Sequence, residues 1–386
     1  MNRAATGPSI VHQNQLATGA ATAPTANAAA IHRHLLELEA ALGTVIRGNG
    51  EAVHMALVAL LSEGHLLIED VPGVGKTTLA HALASSIACQ FHRVQFTSDL
   101  LPSDVVGVSI YNQTRESFEF RPGPIFTNIL LADEINRTTP KTQSALLEAM
   151  NERQVTVDNQ TYKLPDPFMV IATQNPVEHH GTYPLPESQL DRFVMRIRMG
   201  YPSAQGEREI LRATQVRPEP RPESRNESRN GNGIGAQAGG TGGQAGKPGA
   251  ASGAGMASTV GIAGTVGIAP IADAAQIHEW QNAVRAVAVD DTLLDYALKL
   301  VQRTREHEHI ALGVSPRGSQ ALFRAAQALA LLEGRAYCIP EDFKRLALPV
   351  FSHRIVVSPR YVSSQKKSDQ ADALVREILD STEVPL

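Results

Sequence analysis

The sequence predicts an α/β fold: a phosphate-loop core with a parallel sheet flanked by helices, plus a smaller C-terminal helical domain. Three observations predict it. The stretch EDVPGVGKTTLAHALA, residues 69–84, reads as strand end, glycine-bearing loop and helix start. Short apolar runs ending in acidic or amide residues recur up to residue 175, as buried parallel strands do. Beyond residue 270 the apolar residues recur only at helical spacing.

Residues 1–30 are rich in Ala and Thr without periodicity and read as a disordered arm. His65-Leu66-Leu67-Ile68 has the length of a strand, and Leu79, Ala80, Leu83, Ala84 and Ile87 give Thr77–Ile87 a helical face. Between them the chain matches G-x-x-x-x-G-K-[ST] except that Asp70 stands where the first glycine is expected. That position lies at the strand end, where losing glycine is most tolerable. Asp70, Val71, Pro72, Gly73, Val74, Gly75, Lys76, Thr77 and Thr78 are therefore the candidate nucleotide-binding segment. Such a loop turns backbone N–H groups and a helix N-terminus toward phosphates. Lys76 is positioned to reach the β- and γ-phosphates, and the Thr77 hydroxyl to ligate Mg²⁺.

Further strands follow. Arg93-Val94-Gln95-Phe96 precedes TSDLLPSDVVG. Asn128-Ile129-Leu130-Leu131-Ala132 ends in Asp133 and Glu134, the acids expected at the carboxyl end of a central parallel strand. Asp133 is the candidate to hold Mg²⁺ through water, and Glu134 to polarise the attacking water. Phe168-Met169-Val170-Ile171-Ala172 ends in Thr173-Gln174-Asn175-Pro176, and Asn175 is the candidate for positioning that water.

Residues 216–270 change character, running from RPEPRPESRNESRNGNG through Gly/Ala-rich sequence to a doubled TVGIA. This composition buries too little apolar surface to offset chain entropy and reads as a flexible linker. It separates a first domain, about 31–215, from a helical one, about 271–386. In the latter, Ile277, Trp280, Val284 and Val287, then Leu293, Tyr296, Leu300 and Val301, then Leu322, Ala325, Leu329 and Leu332 mark helices. Ser315 followed by Pro316 is a helix start.

The net charge of −4, from 35 Lys and Arg against 39 Asp and Glu, argues against a nucleic-acid partner. Cys89 and Cys338 lie in apolar stretches and read as buried thiols. No apolar run approaches the ~18 residues of a membrane span and no secretion signal opens the chain, so a cytoplasmic location is expected. His179-His180 and His307-x-His309 lack zinc-site spacing and read as solvated.

Three longer stretches carry a resemblance: FRPGPIFTNILLADEINRTTPKTQSALLEAMNERQVTV, MVIATQNPVEHHGTYPLPESQLDRF and LGVSPRGSQALFRAAQALALLEGRAYCIPEDF. In this order they are similar to the MoxR family of AAA+ ATPases over residues 31–215 and about 271–358. The resemblance implies an AAA+ core with a helical lid. It matches Lys76 and Thr77 to the Walker A loop, Asp133 and Glu134 to the Walker B acids, and Asn175 to sensor 1. It matches Arg192 in LDRF to an arginine finger that enters a neighbouring subunit, and Arg317 in SPRGS to sensor 2, a lid arginine facing the γ-phosphate. Hairpin insertions are implied near Ser109–Arg121 and Gln154–Pro165.

The resemblance further implies a homo-oligomeric ring, a hexamer, with ATP and Mg²⁺ bound. It implies chaperone-like maturation of client proteins, often metalloenzymes, alongside a von Willebrand factor A domain protein. Where relatives carry V-G-Q before the first core helix, this chain has Val45-Ile46-Arg47-Gly48-Asn49. The Gly/Ala-rich insertion also departs from the family pattern. Two alternatives stay open, a magnesium-chelatase-like motor subunit and a scaffold that binds ATP with little hydrolysis. A DNA motor is disfavoured by the charge and by the lack of an aromatic-rich basic stripe.

Overall fold

The computed structural model of the chain describes residues 26–175, 182–215, 268–361 and 367–385. Helices α1 (Ala26–Val45) and α2 (Gly50–Leu61) precede strand β1 (Leu66–Glu69), helix α3 (Lys76–Ser86) and strand β2 (Phe91–Gln95). Short α4 (Pro102–Val106) leads into the hairpin β3 (Gly107–Asn112) and β4 (Ser117–Pro122), then β5 (Ile129–Asp133) and α5 (Pro140–Glu152). A second hairpin, β6 (Gln154–Val157) and β7 (Gln160–Lys163), precedes β8 (Met169–Gln174), α6 (Glu187–Leu190), β9 (Met195–Ile197) and α7 (Ala204–Gln215). The C-terminal part holds α8 (Ala274–Arg285), α9 (Asp291–Glu306), β10 (Ile310–Leu312), α10 (Pro316–Leu332), α11 (Pro340–Phe351), β11 (Val356–Val357) and α12 (Lys367–Asp380).

Five strands pair in the order β2-β5-β8-β1-β9, all parallel. Their side chains alternate between two apolar layers. Leu66, Ile68, Ile129, Leu131, Met169 and Ile171 face α1, α2, α3 and the C-terminal helices. Leu67, Leu130, Ala132, Val170 and Ala172 face the α5 side, with Phe193. Both faces are thus covered, which is why these strands read as unbroken apolar runs. The first layer continues without interruption from Leu35 and Leu57 to Trp280, Leu329 and Leu374. The sheet-bearing and helical halves therefore share one core.

Both hairpins implied by the resemblance form, and each is antiparallel. In the second, Asp158 and Asn159 take φ of 49° and 63°, the two-residue turn that matches strand twist. Phe120 of β4 stacks on Tyr162 of β7 with centroids 4.0 Å apart, tying the hairpins together.

Three details differ from expectation. Helix α1 starts at Ala26, inside the segment read as a disordered arm, because Ile31, Leu35, Leu38 and Leu42 bury one face and the Ala run before them favours helix. Strand β9 went unpredicted; it is three residues long and alternates with exposed or paired arginines. Cys338 is buried as expected, its thiol pushed up to about 12 by burial. Cys89 is only partly buried, which still raises it to about 11. Residues 1–25 and 216–267 lie outside the described residues.

Candidate active site

The carboxyl ends of β1, β5 and β8 meet at one edge of the sheet, and the loop after β1 crowns it. Gly73 and Gly75 adopt φ of 88° and 95°, the left-handed region that glycine occupies without penalty. A β-carbon on Gly73 meets nothing within 4 Å, and one on Gly75 meets only Met199 Cε at 3.9 Å. The space above the loop is open, with the N-terminus of α3 aimed into it. Lys76 Nζ donates to the Asp70 carbonyl at 2.8 Å. Burial lowers the pKa of Lys76, while Asp133, Asp70 and Glu134 act in the opposite direction.

Asp70 explains the missing glycine. Its N–H bonds the Gln174 carbonyl at 3.1 Å, extending the β1–β8 ladder. Its carboxylate accepts the Val71 N–H at 2.8 Å and the Gly200 N–H at 2.5 Å. The side chain therefore pins the loop's first turn to the segment after β9. Asn49, with its amide turned to donate to the Met199 carbonyl at 3.0 Å, holds the departing Val45–Asn49 stretch against that same segment.

The two acids are held from neighbouring strands. Asp133 Oδ1 accepts the Thr173 hydroxyl at 2.6 Å, and Oδ2 accepts Arg93 Nη2 at 2.6 Å and Nε at 3.2 Å. Glu134 takes a left-handed backbone, φ 55°, a conformation costing about 1–3 kcal/mol in a residue with a β-carbon. Thr173 Oγ1 accepts its N–H at 2.9 Å. Gln95 Nε2 and Arg137 Nη1 each donate to Glu134 Oε2 at 2.8 Å. Asn175 is buried just past the end of β8. Thr77 is half-buried in the first turn of α3 and Thr78 is exposed.

An Mg²⁺–ATP ligand fits these residues: an open glycine cradle, a cationic Lys76 and two acids converge where phosphates and a divalent cation need them. Sequence reasoning missed Thr173, Arg93 and Gln95 as supports of the acids. Only the polar tip Thr173-Gln174-Asn175 carried a signal.

The two arginines implied by the resemblance lie elsewhere. Helix α5 runs from the carboxyl edge back to the amino edge, where His65 at the start of β1 donates through Nε2 to the Met150 carbonyl at 3.1 Å and accepts the Val170 N–H at 3.0 Å. Next to that point Arg192 Nη1 donates to the Leu147 carbonyl, and Arg317 Nη2 donates to Asn151 Oδ1 at 2.7 Å. Burial and the neighbouring Arg317 charge lower the Arg192 pKa, against Glu148 and Glu152. Arg317 is thus beside Arg192 at the edge opposite Lys76 and does not face the phosphate loop of its own chain.

His307 and His309 have ring centroids 5.6 Å apart. Among the described residues no group of three His, Cys, Asp or Glu is placed to hold a metal ion. His179-His180 lies outside the described residues. Among the described residues no helix is long and apolar enough to cross a membrane.

A phosphate loop, paired acids at a parallel-strand edge and a C-terminal helical bundle define an AAA-type nucleotide-binding ATPase fold. Residues 65–195 match the family model described as ATPase family associated with various cellular activities (AAA), and residues 302–378 match the AAA lid domain. Protein YeaC of Bacillus subtilis is 46% identical over 345 residues, 89% of this chain and 93% of that protein. Chaperone MoxR1 of Mycobacterium tuberculosis is 38% identical over 354 residues, 89% of this chain and 81% of that protein. Protein MoxR of Paracoccus denitrificans is 30% identical over 91% of this chain and 95% of its own length. A crystal structure of a candidate ATPase from Cytophaga hutchinsonii superposes with a TM-score of 0.74 at 33% identity, covering 93% of this chain and 97% of that one. The chain belongs to the MoxR family of AAA+ ATPases.

Proposed function

We propose that the chain is an ATP-hydrolysing subunit of a six-membered homo-oligomeric ring in the cytoplasm that remodels or matures partner proteins. The observation that carries this reading is the convergence of Lys76, Asp133, Glu134 and Asn175 at one sheet edge around an open glycine loop. Lys76 neutralises the β- and γ-phosphates of ATP. Thr77 and Asp133 are the residues to hold Mg²⁺, which supplies charge neutralisation across the phosphates when bound. Glu134 accepts the proton of the attacking water, and its bonds to Gln95 and Arg137 set the carboxylate's direction. Asn175 orients that water.

Arg192 and Arg317 act on the ATP of the next subunit. Their shared position at the edge opposite Lys76 supports this, since one chain cannot bring both edges to a single phosphate. Positive donors there stabilise charge spread over the γ-oxygens during transfer. Chaperone-like action is supported by the name of the Mycobacterium tuberculosis relative. It is also supported by the exposed Ile110, Tyr111 and Phe118 on the first hairpin, an apolar surface suited to another protein. The client is a metalloenzyme or other protein, assisted by a von Willebrand factor A domain partner.

Phosphate release by the purified chain, compared with Glu134→Gln, is the test. Steady release that the variant lacks supports the ATPase reading. Tight ATP binding with no release above the variant's level replaces it with an ATP-binding scaffold. Proteins retained on the Glu134→Gln ring in ATP identify clients, and a porphyrin-binding partner among them points to the chelatase-like alternative.

A further inference from the structure

Arg354 has no part in the hydrolysis just described, yet it is the most thoroughly engaged guanidinium near the two arginines. Its side chain is 2% exposed. Nε donates to Asp191 Oδ1 at 2.8 Å, Nη2 to the Phe193 carbonyl at 2.5 Å, and Nη1 to the Val194 carbonyl at 3.0 Å and to the Val350 carbonyl. A residue just past α11 therefore grips the turn that carries Arg192, on both sides of it.

The other oxygen of Asp191 reaches the second arginine's helix. Oδ2 accepts the Ser315 hydroxyl at 2.9 Å, and Ser315 Oγ in turn accepts the Gly318 N–H at 3.2 Å, capping α10. A β-carbon on Gly318 would stand 2.9 Å from Arg354 Cδ and 2.4 Å from Val314 Cγ1. Glycine at this position lets the first turn of α10 lie directly on the Arg354 stem. Arg192 adjoins Asp191, and Arg317 lies between Ser315 and Gly318.

Two guanidinium groups side by side repel, and Arg317, which is exposed, loses entropy when its long side chain is fixed. Without a frame they would splay. We propose that Arg354, Asp191 and Ser315 form a buried positioning unit that holds Arg192 of the sheet half and Arg317 of the helical half as one two-arginine surface, directed at the polyphosphate bound by a second copy of this chain. This rests on the reading of both arginines as acting across a subunit boundary. The unit's own residues touch no phosphate; they act through the arginines.

The test uses full-length protein with Ser315→Ala, which cuts the Asp191–α10 link without removing any arginine, and Ser315→Thr, which keeps a hydroxyl. Expected for Ser315→Ala are an ATP Kd within about twofold of wild type and a turnover lower by roughly 10- to 100-fold, the scale of a misplacement of about 1 Å. Ser315→Thr restores most of the turnover. Mixing Ser315→Ala with Lys76→Ala subunits returns activity, because some interfaces then join an intact loop to an intact arginine pair; a purely structural defect would not be complemented. The control mixes Arg192→Ala with Lys76→Ala, with mixed rings verified by native mass spectrometry.

Wild-type turnover in Ser315→Ala overturns the proposal, as does a Thr variant as slow as the Ala variant. Recovery in the control without recovery for Ser315→Ala also overturns it and leaves the across-boundary reading standing. Failure of the control itself in verified mixed rings removes that reading, and the proposal falls with it. Should Ser315→Ala not fold by circular dichroism, Gly318→Ala is measured in the same way, since its added methyl displaces α10 from Arg354.

Discussion

The two edges of the central sheet are built in opposite ways. At the carboxyl edge the groups come from short continuous segments: the loop with Lys76, the strand end with Asp133 and Glu134, the strand tip with Asn175. At the amino edge Arg192 and Arg317 are brought together by α5, a turn before β9, the first turn of α10 and a residue beyond α11. Local sequence makes the first edge. Long-range packing makes the second, and the proposed ring, in which one copy's amino edge meets another's carboxyl edge, needs both.

Lys76→Ala gives the largest effect at the carboxyl edge. Removing a charge-assisted donor to the phosphates weakens ATP binding by roughly 100-fold, which abolishes turnover at ordinary ATP concentrations. Equilibrium titration with a fluorescent ATP analogue measures this, and unchanged affinity would remove the loop from the site. Arg192→Ala should do the reverse at the amino edge: ATP affinity within about twofold, turnover lower by about 10³-fold. A large loss of affinity without loss of turnover would erase the contrast between the edges.

Glu134→Gln sharpens the carboxyl edge further. The amide still accepts from Gln95 and Arg137 but cannot take the water's proton, so turnover falls by about 10²-fold with binding retained. Near-normal turnover in this variant would pass the base role to another residue.

The same contrast decides what was legible. A strand, a glycine loop and a helix are contiguous, so the spacing from Asp70 to Thr77 fixes the site before any packing is known. The apolar runs before Asp133 and Asn175 did the same for the parallel strands. Arg93 and Gln95 were not legible as supports, because their contact with the acids depends on the β2–β5 register, Gln95 opposite Asp133. Asp191 and Arg354 lie 163 positions apart and share no spacing. The edge at which Arg317 stands was not legible for a related reason: which edge the first turn of α10 reaches is set by the bundle's packing on α1 and α2.

Acid should destabilise the fold through a histidine of the amino edge. His65 is fully buried there, and burial lowers its pKa from 6.5 to about 4. The unfolded chain therefore binds a proton below pH 6.5 that the folded chain refuses until about pH 4, so stability present above 6.5 is lost as pH falls through that window. For this one group the loss at pH 5 is about 2 kcal/mol. Urea unfolding at pH 7 and pH 5 should show it, and His65→Gln should reduce the difference by about that amount. His353, shifted in the same direction by burial, supplies a residual dependence in the variant. An equal pH dependence with and without His65 would refute the assignment.

Deleting residues 220–265 should have the smallest effect of all. The segment contains no residue of either edge, and its Gly/Ala-rich composition offers little apolar surface to bury. What joins the two halves on either side of it is packing: the Ile271 and Ala272 N–H groups donate to the Ser86 carbonyl at 2.8 and 3.2 Å. Gln281 donates to the Leu60 carbonyl at 2.9 Å, and Asp191 binds Arg354 and Ser315. The connection's length is not what holds Arg317 beside Arg192, and loop-closure entropy changes by only about 0.6 kcal/mol per doubling of loop length. The shortened chain should keep its ATP affinity, the oligomeric state of the full chain on gel filtration and turnover within about twofold of the full chain. Loss of turnover with binding retained would mean that the amino edge, unlike the carboxyl edge, needs this segment to assemble, and the segment would then join α5, α10 and Arg354 as part of that edge's construction.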